Sequence, residues 1–179
     1  PYSDIGMVSA QGGKIINLTN SGYTSGSPRW VLDGNAILFI TERYGMRAHA
    51  SWGSLNDVML VFMNQDAYDK FRLSKEDYEL QKELEKEQKN TTEAKKNDKK
   101  KGDNKEKSEE KKEEKVKDIV VELNNIEDRI VRLTPNSSDL GSAIITKDGE
   151  TLYYLSAFEG GYDLEEGIRI AIQLSLIHI

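Results

Sequence analysis

The chain has no cysteine among its 179 residues. Disulfides and thiolate metal sites are therefore excluded, and the redox compartment is left open. Histidine is nearly absent too, with only His49 and His178. His178 lies in an anomalous C-terminal segment, so His49 alone is available for chemistry. A metal site would then rest on carboxylates, and neither a metal nor any other cofactor is expected. No run of about 18 apolar residues occurs, so no membrane-spanning segment is expected. Methionine is missing from position 1 and the pattern is already under way at Pro1, so the true N-terminus is expected to lie upstream.

Positive charge is not in excess either, the formal net charge being −6. Between Glu85 and Lys115 stand 12 lysines and 10 acidic residues, leaving 13 basic and 21 acidic residues elsewhere. An acidic remainder argues against a nucleic-acid-binding surface. The tract from Asn90 to Lys115 has no aromatics and almost no aliphatics. Such a composition cannot offset an ordering entropy of roughly 1–2 kcal/mol per residue, so a disordered or frayed-helical insertion is expected. Its balanced charge makes a solvated insertion a better reading than a tether or partner-binding arm.

What the chain does contain is a repeat. In Ser27–Thr41, SPRWVLDGNAILFIT, two apolar runs flank Asp33-Gly34. Asp and Gly tolerate positive φ, so a tight type I′ hairpin turn is expected there. Ser142–Ser156, SAIITKDGETLYYLS, carries Asp148-Gly149 in the same place. Ile15, Leu18, Thr19, Gly26, Ser27, Asp33, Gly34 and Gly45 match Ile130, Leu133, Thr134, Gly141, Ser142, Asp148, Gly149 and Gly160 at one shift of 115 residues. Self-similarity at a fixed spacing marks a repeat architecture.

Taken in order, Ile5–Ser9 and Lys14–Thr19 are expected to pair as a short hairpin. Pro28 stands near the start of the next strand, where a missing N–H is tolerated. Ile37, Phe39 and Thr41 alternate with Leu38 and Ile40, which predicts a strand covered on both faces, and Asp57–Asn64, DVMLVFMN, is apolar enough for the same. Gln65–Lys89 is helix-forming, with a capping-box pattern at Ser74–Asp77. Ile119–Leu123 is expected as a strand, with Arg129–Thr134 as its hairpin partner.

The last six residues, LSLIHI, are what the codons CTG TCT CTT ATA CAC ATC encode, the end of a widely used transposase-based sequencing adapter. Glu165–Gln173 does not continue the expected strand pattern. Residues 165–179 are therefore expected to be read-through sequence on a truncated fragment.

These features suit an all-β fold: a partial, open β-propeller of about two four-stranded blades, with a helical or disordered charged insertion. Residues 1–64 and 118–164 would supply the blade strands and 65–117 the insertion. The strand order in one blade would be SPRWV, AILFIT, DVMLVF and IVVEL, with RIVRLT leading into the next. A surface loop lengthens at little closure cost, which accommodates the insertion. An all-β sandwich is the alternative.

SPRWVLDGNAILFIT resembles the propeller repeat of TolB and tricorn-type proteins, although Val31-Leu32 stands where the family usually has Ser-Pro. The stretch from Glu42 to Glu87 and SAFEGGYDL look like a Bacteroidota group of tricorn-like serine peptidases of the tail-specific (carboxy-terminal processing) class. That resemblance implies a periplasmic parent with downstream PDZ and peptidase domains, acting on peptides or proteins, with homo-oligomers conceivable. It implies a propeller that gates or guides peptides. No catalytic residue carries over, because the catalytic serine and its partners sit in the peptidase domain. The alternatives are a TolB-like binding propeller without enzyme activity and the propeller lid of a prolyl-oligopeptidase-type enzyme.

The best functional candidate is the loop containing Arg43, Tyr44, Arg47, His49 and Trp52. Arg, Tyr and Trp combine charge-assisted hydrogen bonds with large contact area, the chemistry of recognition surfaces. The competing reading is structural, with Tyr44 and Trp52 plugging the blade. Ser51 near His49 has no nucleophile elbow around it.

Overall fold

A computed structural model describes residues 2–47, 53–84, 87, 118–157 and 169–175. The chain divides into one compact unit of residues 1–72 and 119–179 and a second of residues 73–118. In the second unit residues 75–84 are helical. The Ser74 hydroxyl caps this helix, accepting from the Asp77 N–H at 3.2 Å and donating to its carboxylate at 2.7 Å. Leu80 and Leu84 on it are exposed. Among the described residues, no helix is long and apolar enough to cross a membrane.

Among the described residues, the first unit is all-β apart from one short helix and single turns. β1 (Gly6–Met7) pairs with β2 (Ile16–Asn17). β3 (Ser25–Val31), β4 (Ala36–Thr41), β5 (Asp57–Phe62) and β6 (Ile130–Arg132) form an antiparallel sheet in chain order. β7 (Asp139–Ile145), β8 (Thr151–Ala157) and β9 (Arg169–Ser175) form a second antiparallel sheet, also in chain order. The fold is therefore all-β and antiparallel, and its sheets are open.

The four-stranded sheet is covered on both faces, as the apolar alternation predicts. On one face Ala36, Leu38, Val58, Leu60 and Phe62 pack with Ala143, Ile145, Leu152 and Tyr154 of the second sheet. On the other, Ile37, Phe39, Met59, Val61 and Met63 pack with Ile5 and Leu18 of the β1–β2 region. Every residue of β5 is buried. A hydroxyphenyl group taken out of water is harder to ionise, and burial raises the Tyr154 pKa.

The fourth strand is not the expected one. Ile119–Leu123 forms no strand, and Ile119, Val120, Val121 and Leu123 are exposed. Its Glu122 N–H reaches the Met63 carbonyl at 2.8 Å, but the edge of β5 is taken by Ile130–Arg132, from the RIVRLT segment. Arg129 fixes this arrangement: its buried guanidinium donates to the carbonyls of Phe62, Asn124 and Glu122. The expectation that strand pattern stops before residue 165 is also corrected, since Arg169–Ser175 pairs along the whole of β8.

The hairpin loops differ from the tight turn expected. Val31 pairs with Ala36, so four residues intervene, and Leu32, Asp33 and Gly34 all take positive φ (53°, 53° and 87°). Leu32 accepts that conformation because its side chain packs against the core shared by the two sheets. Gly149, at φ 77°, gives it room: a Cβ there would lie 3.0 Å from Leu32 Cδ2. Pro28 sits inside β3 rather than at its start, in a bulge between Gly26 and Arg29 where Ser27 has φ 54°. β7 carries a matching irregularity between Leu140 and Ser142.

Helix α1 (Gln65–Phe71) follows β5, capped by the Asn64 side chain, which accepts from the Ala67 N–H at 2.9 Å. Its Tyr68 and Phe71 rings lie 5.7 and 5.0 Å from Phe62.

The repeat extends further than a single shift shows. Met7 pairs with Ile16 as Leu60 pairs with Val131, and Gly6 with Asn17 as Met59 with Arg132. The Leu18 N–H donates to the Ile5 carbonyl at 2.8 Å, and the Leu133 N–H donates to the Val58 carbonyl at 2.9 Å. The third-strand positions are thus offset by 53 residues and the fourth-strand positions by 115, so the extra 62 residues enter between β5 and β6.

An aspartate marks each copy. Asp4 accepts from Thr19 Oγ1 at 2.8 Å and Asn17 Nδ2 at 2.9 Å. Asp57 accepts from Thr134 Oγ1 at 2.8 Å, from Arg132 Nε and Nη2 at 3.0 and 2.9 Å, and from Ser137 Oγ at 2.8 Å. Each threonine oxygen accepts the N–H of the residue after its aspartate, Ile5 or Val58.

The copies differ at one buried hydroxyl. Ser25 stands opposite Thr41 and donates to its Oγ1 at 3.0 Å. In the second sheet Leu140 stands opposite Ser156, whose buried Oγ has no partner among the described residues.

Asp57 is fully buried and Arg132 is about one-third exposed. Replacing Asp57 by Ala leaves four donor groups, on Arg132, Thr134 and Ser137, without their acceptor and is expected to cost roughly 2–3 kcal/mol. Asp57→Asn, which keeps one carbonyl acceptor, should cost less. Urea unfolding of both variants checks the order, and equal stability of Asp57→Ala and the parent would refute this role.

Candidate functional site

Three connections meet at one end of the sheets: residues 18–24, the β4–β5 loop 42–56, and residues 133–138. The Glu42 N–H donates to the Thr24 carbonyl at 3.1 Å, and Asn56 and Ser138 exchange backbone bonds at 2.8 and 3.0 Å. The long loop turns back on itself. Arg47 bridges to Ser54, and the Leu55 N–H donates to the Met46 carbonyl at 3.0 Å. Gly45 permits this closure, because an added Cβ would stand 1.7 Å from the Leu55 carbonyl oxygen.

Of the five residues singled out in the sequence, Arg43, Tyr44 and Arg47 are placed, while His49 and Trp52 lie outside the described residues. Tyr44 is half exposed, so it does not plug the sheet. Two guanidiniums lie over its ring, Arg43 at 5.5 Å and Arg132 at 5.3 Å. Arg47 lies over Tyr2 at 5.6 Å and Tyr23 at 5.8 Å, both exposed rings. Cations over aromatic faces are attracted by the ring quadrupole, so the loop gathers arginines and tyrosines into one surface.

Glu42 orders this surface. It accepts from Ser54 Oγ at 2.7 Å, from Arg47 Nη2 at 2.8 Å and from the Thr24 N–H at 3.2 Å. The Ser54 hydrogen bond, followed by Thr24 and the charge of Arg47, holds the Glu42 carboxyl below its ordinary value, against the opposing pull of desolvation. A hydrogen bond to Tyr2 and the Glu42 charge hold Arg47 above its ordinary range. Glu42 therefore stays ionised at neutral pH and orients Arg47; it is poorly suited to donate a proton. The chemistry this cluster supports is recognition. Among the described residues, no group of three or more His, Asp or Glu side chains is placed to hold a metal.

A second feature lies at the opposite end. The outer strands β3 and β7 flank a cleft of about 430 Å³, whose lining includes Arg29, Trp30, Asp33, Ile144 and Lys147. Lys147 Nζ and Asp33 Oδ1 approach to 3.4 Å across it.

Sequence reasoning missed Asp57, Tyr2, Tyr23 and the cleft. A signal existed for the aspartate: Asp4-Ile5 and Asp57-Val58 stand 53 residues apart, each opening an apolar strand. The tyrosines and the cleft depend on which connections meet in space, which no local pattern carries.

Glu42 has a depressed pKa in the folded chain, so its contribution to stability is present above the ordinary value of 4.5 and is lost as pH falls through the folded value. Replacing Ser54 by Ala removes the largest cause. The Glu42 midpoint, followed by carboxyl NMR titration, should move up towards 4.5. An unmoved midpoint would show that Ser54 does not set it. Gly45→Ala should displace the Leu55 carbonyl and lower the melting temperature; an unchanged melting temperature would refute the close approach.

No family model, curated protein or solved structure matches the chain.

Proposed function

We propose that the chain is the non-catalytic β-propeller portion of a periplasmic tricorn-like serine peptidase, guiding or gating peptides towards a catalytic domain elsewhere in the parent protein. The observation that carries the propeller reading is the way the repeated sheets stack and what they leave uncovered. Val61 is buried, and its counterpart Val8, 53 residues earlier, is half exposed. Ile130 is packed against the core, and its counterpart Ile15 is exposed. At the other end of the stack Leu38 is buried, while its counterpart Tyr153 and the neighbouring Ile144 are exposed. Positions covered in the middle sheet are bare in the flanking ones, as expected of sheets that continue on both sides around a ring.

The peptidase part rests on the resemblance of the stretch from Glu42 to Glu87. The Arg–Tyr surface around Glu42 supports a role in contacting peptides, since arginine and tyrosine dominate recognition surfaces.

The test is the complete reading frame and the protein it encodes. A PDZ domain and a tail-specific peptidase domain are expected downstream, with hydrolysis of an unfolded protein substrate abolished by replacing the catalytic serine. In that protein, Arg43→Ala with Arg47→Ala should lower turnover while the melting temperature holds. A frame without an enzyme domain would favour a TolB-like binding propeller. An α/β-hydrolase domain with Gly-x-Ser-x-Gly would favour a prolyl-oligopeptidase-type lid.

A further inference from the structure

Two open strand edges share the cleft between the sheets. β3 and β7 are each the outermost strand of their sheet, and residues 29–31 and 143–145 line the space between them. An edge strand presents unpaired N–H and C=O groups that can take up an extended segment. On β3 the bulge and Pro28, which has no N–H, spoil the first half of that edge. The regular stretch Arg29–Val31 remains, with Arg29, Trp30 and Val31 opposite Leu38, Ile37 and Ala36.

The charges at the cleft are unequal. Its lining includes the apolar residues Leu38, Ala143 and Ile145. Of the charged residues, Lys147 and Asp33 engage each other. Arg29, exposed and directly opposite Leu38, stands on the face of the sheet that packs towards β7. A guanidinium beside an apolar cleft favours a carboxylate, which it can bind through two parallel hydrogen bonds. The Arg–Tyr surface at the other end offers less, because Glu42 already occupies Arg47 and Asp57 occupies Arg132.

We infer that this cleft binds an extended peptide segment that sets a carboxylate against Arg29, while its backbone pairs with an open strand edge. The inference rests on the peptide-handling reading and narrows it to anionic segments. The carboxylate has two sources, a chain end or an acidic side chain.

The test uses the 179-residue chain and fluorescein-labelled threonine–valine peptides in three forms: free acid, C-terminal amide, and amide with one internal glutamate. Fluorescence anisotropy should show the free acid or the glutamate peptide binding about tenfold more tightly than the neutral amide, a margin of about 1.4 kcal/mol. A preference for the first identifies a chain end, and for the second a side chain. Arg29→Gln should remove the margin without weakening the neutral amide, and Arg29→Lys should keep part of it. Equal binding of all three peptides, no binding of any, or a margin that survives Arg29→Gln would overturn the inference. Failed binding beside an encoded peptidase domain would sink this inference alone. Selective binding without such a domain would keep it and sink the peptidase reading.

Discussion

The four-stranded sheet depends on one buried carboxylate. Asp57 opens β5, in which every residue is buried, and its carboxylate is satisfied entirely from the fourth strand and the turn after it: Arg132, Thr134 and Ser137. A buried charge with so many donors costs too much to leave unpaired. It therefore selects which segment may lie beside β5. Ile119–Leu123 is more apolar and nearer in the chain, yet has no donors to offer. Ile130–Arg132 brings them, and takes the edge. The donor pattern recurs at Asp4, which is exposed: Asn17 and Thr19 supply the donors and the arginine is absent. Asp4 is held below its ordinary pKa, chiefly by its hydrogen bond from Asn17.

This also shows why part of the architecture could be read in advance. Alternation at Ile37–Thr41 and the apolar run at Asp57–Asn64 told of strands covered on both faces, and both faces are covered. The Asp-Gly pairs marked real hairpins, but not the length of their loops; in the first, Leu32 adopts positive φ only through contacts made in three dimensions. The identity of the fourth strand was misread for a related reason. β-branched residues made Val120 and Val121 look like a strand, and local preference carries no record of a carboxylate 60 or more residues away.

The candidate site was half legible. Arg43, Tyr44 and Arg47 signalled a recognition loop, and several of the groups around them come from elsewhere in the chain. Tyr23 and Glu42 converge there because three inter-strand connections share one end of the stack, joined by Tyr2 from ahead of β1 and Arg132 from the end of β6. Ser54, which tunes Glu42, is unremarkable in sequence and matters only because the loop folds back over Gly45.

The inserted residues between β5 and β6 carry a consequence for how the chain acquires its fold. The aspartate–threonine clasp closes over 15 residues in the first copy and 77 in the second. Loop closure entropy makes the longer one costlier by about 1.4 kcal/mol. The first hairpin can therefore form early, whereas β6 docks late, after a long-range search. Until it does, the edge of DVMLVF, apolar and flat, is open to any other strand, including its own copy in another molecule. Asp57 at the head of that strand is then an unpaired charge on an exposed edge, and it discourages such pairing until Arg132 arrives.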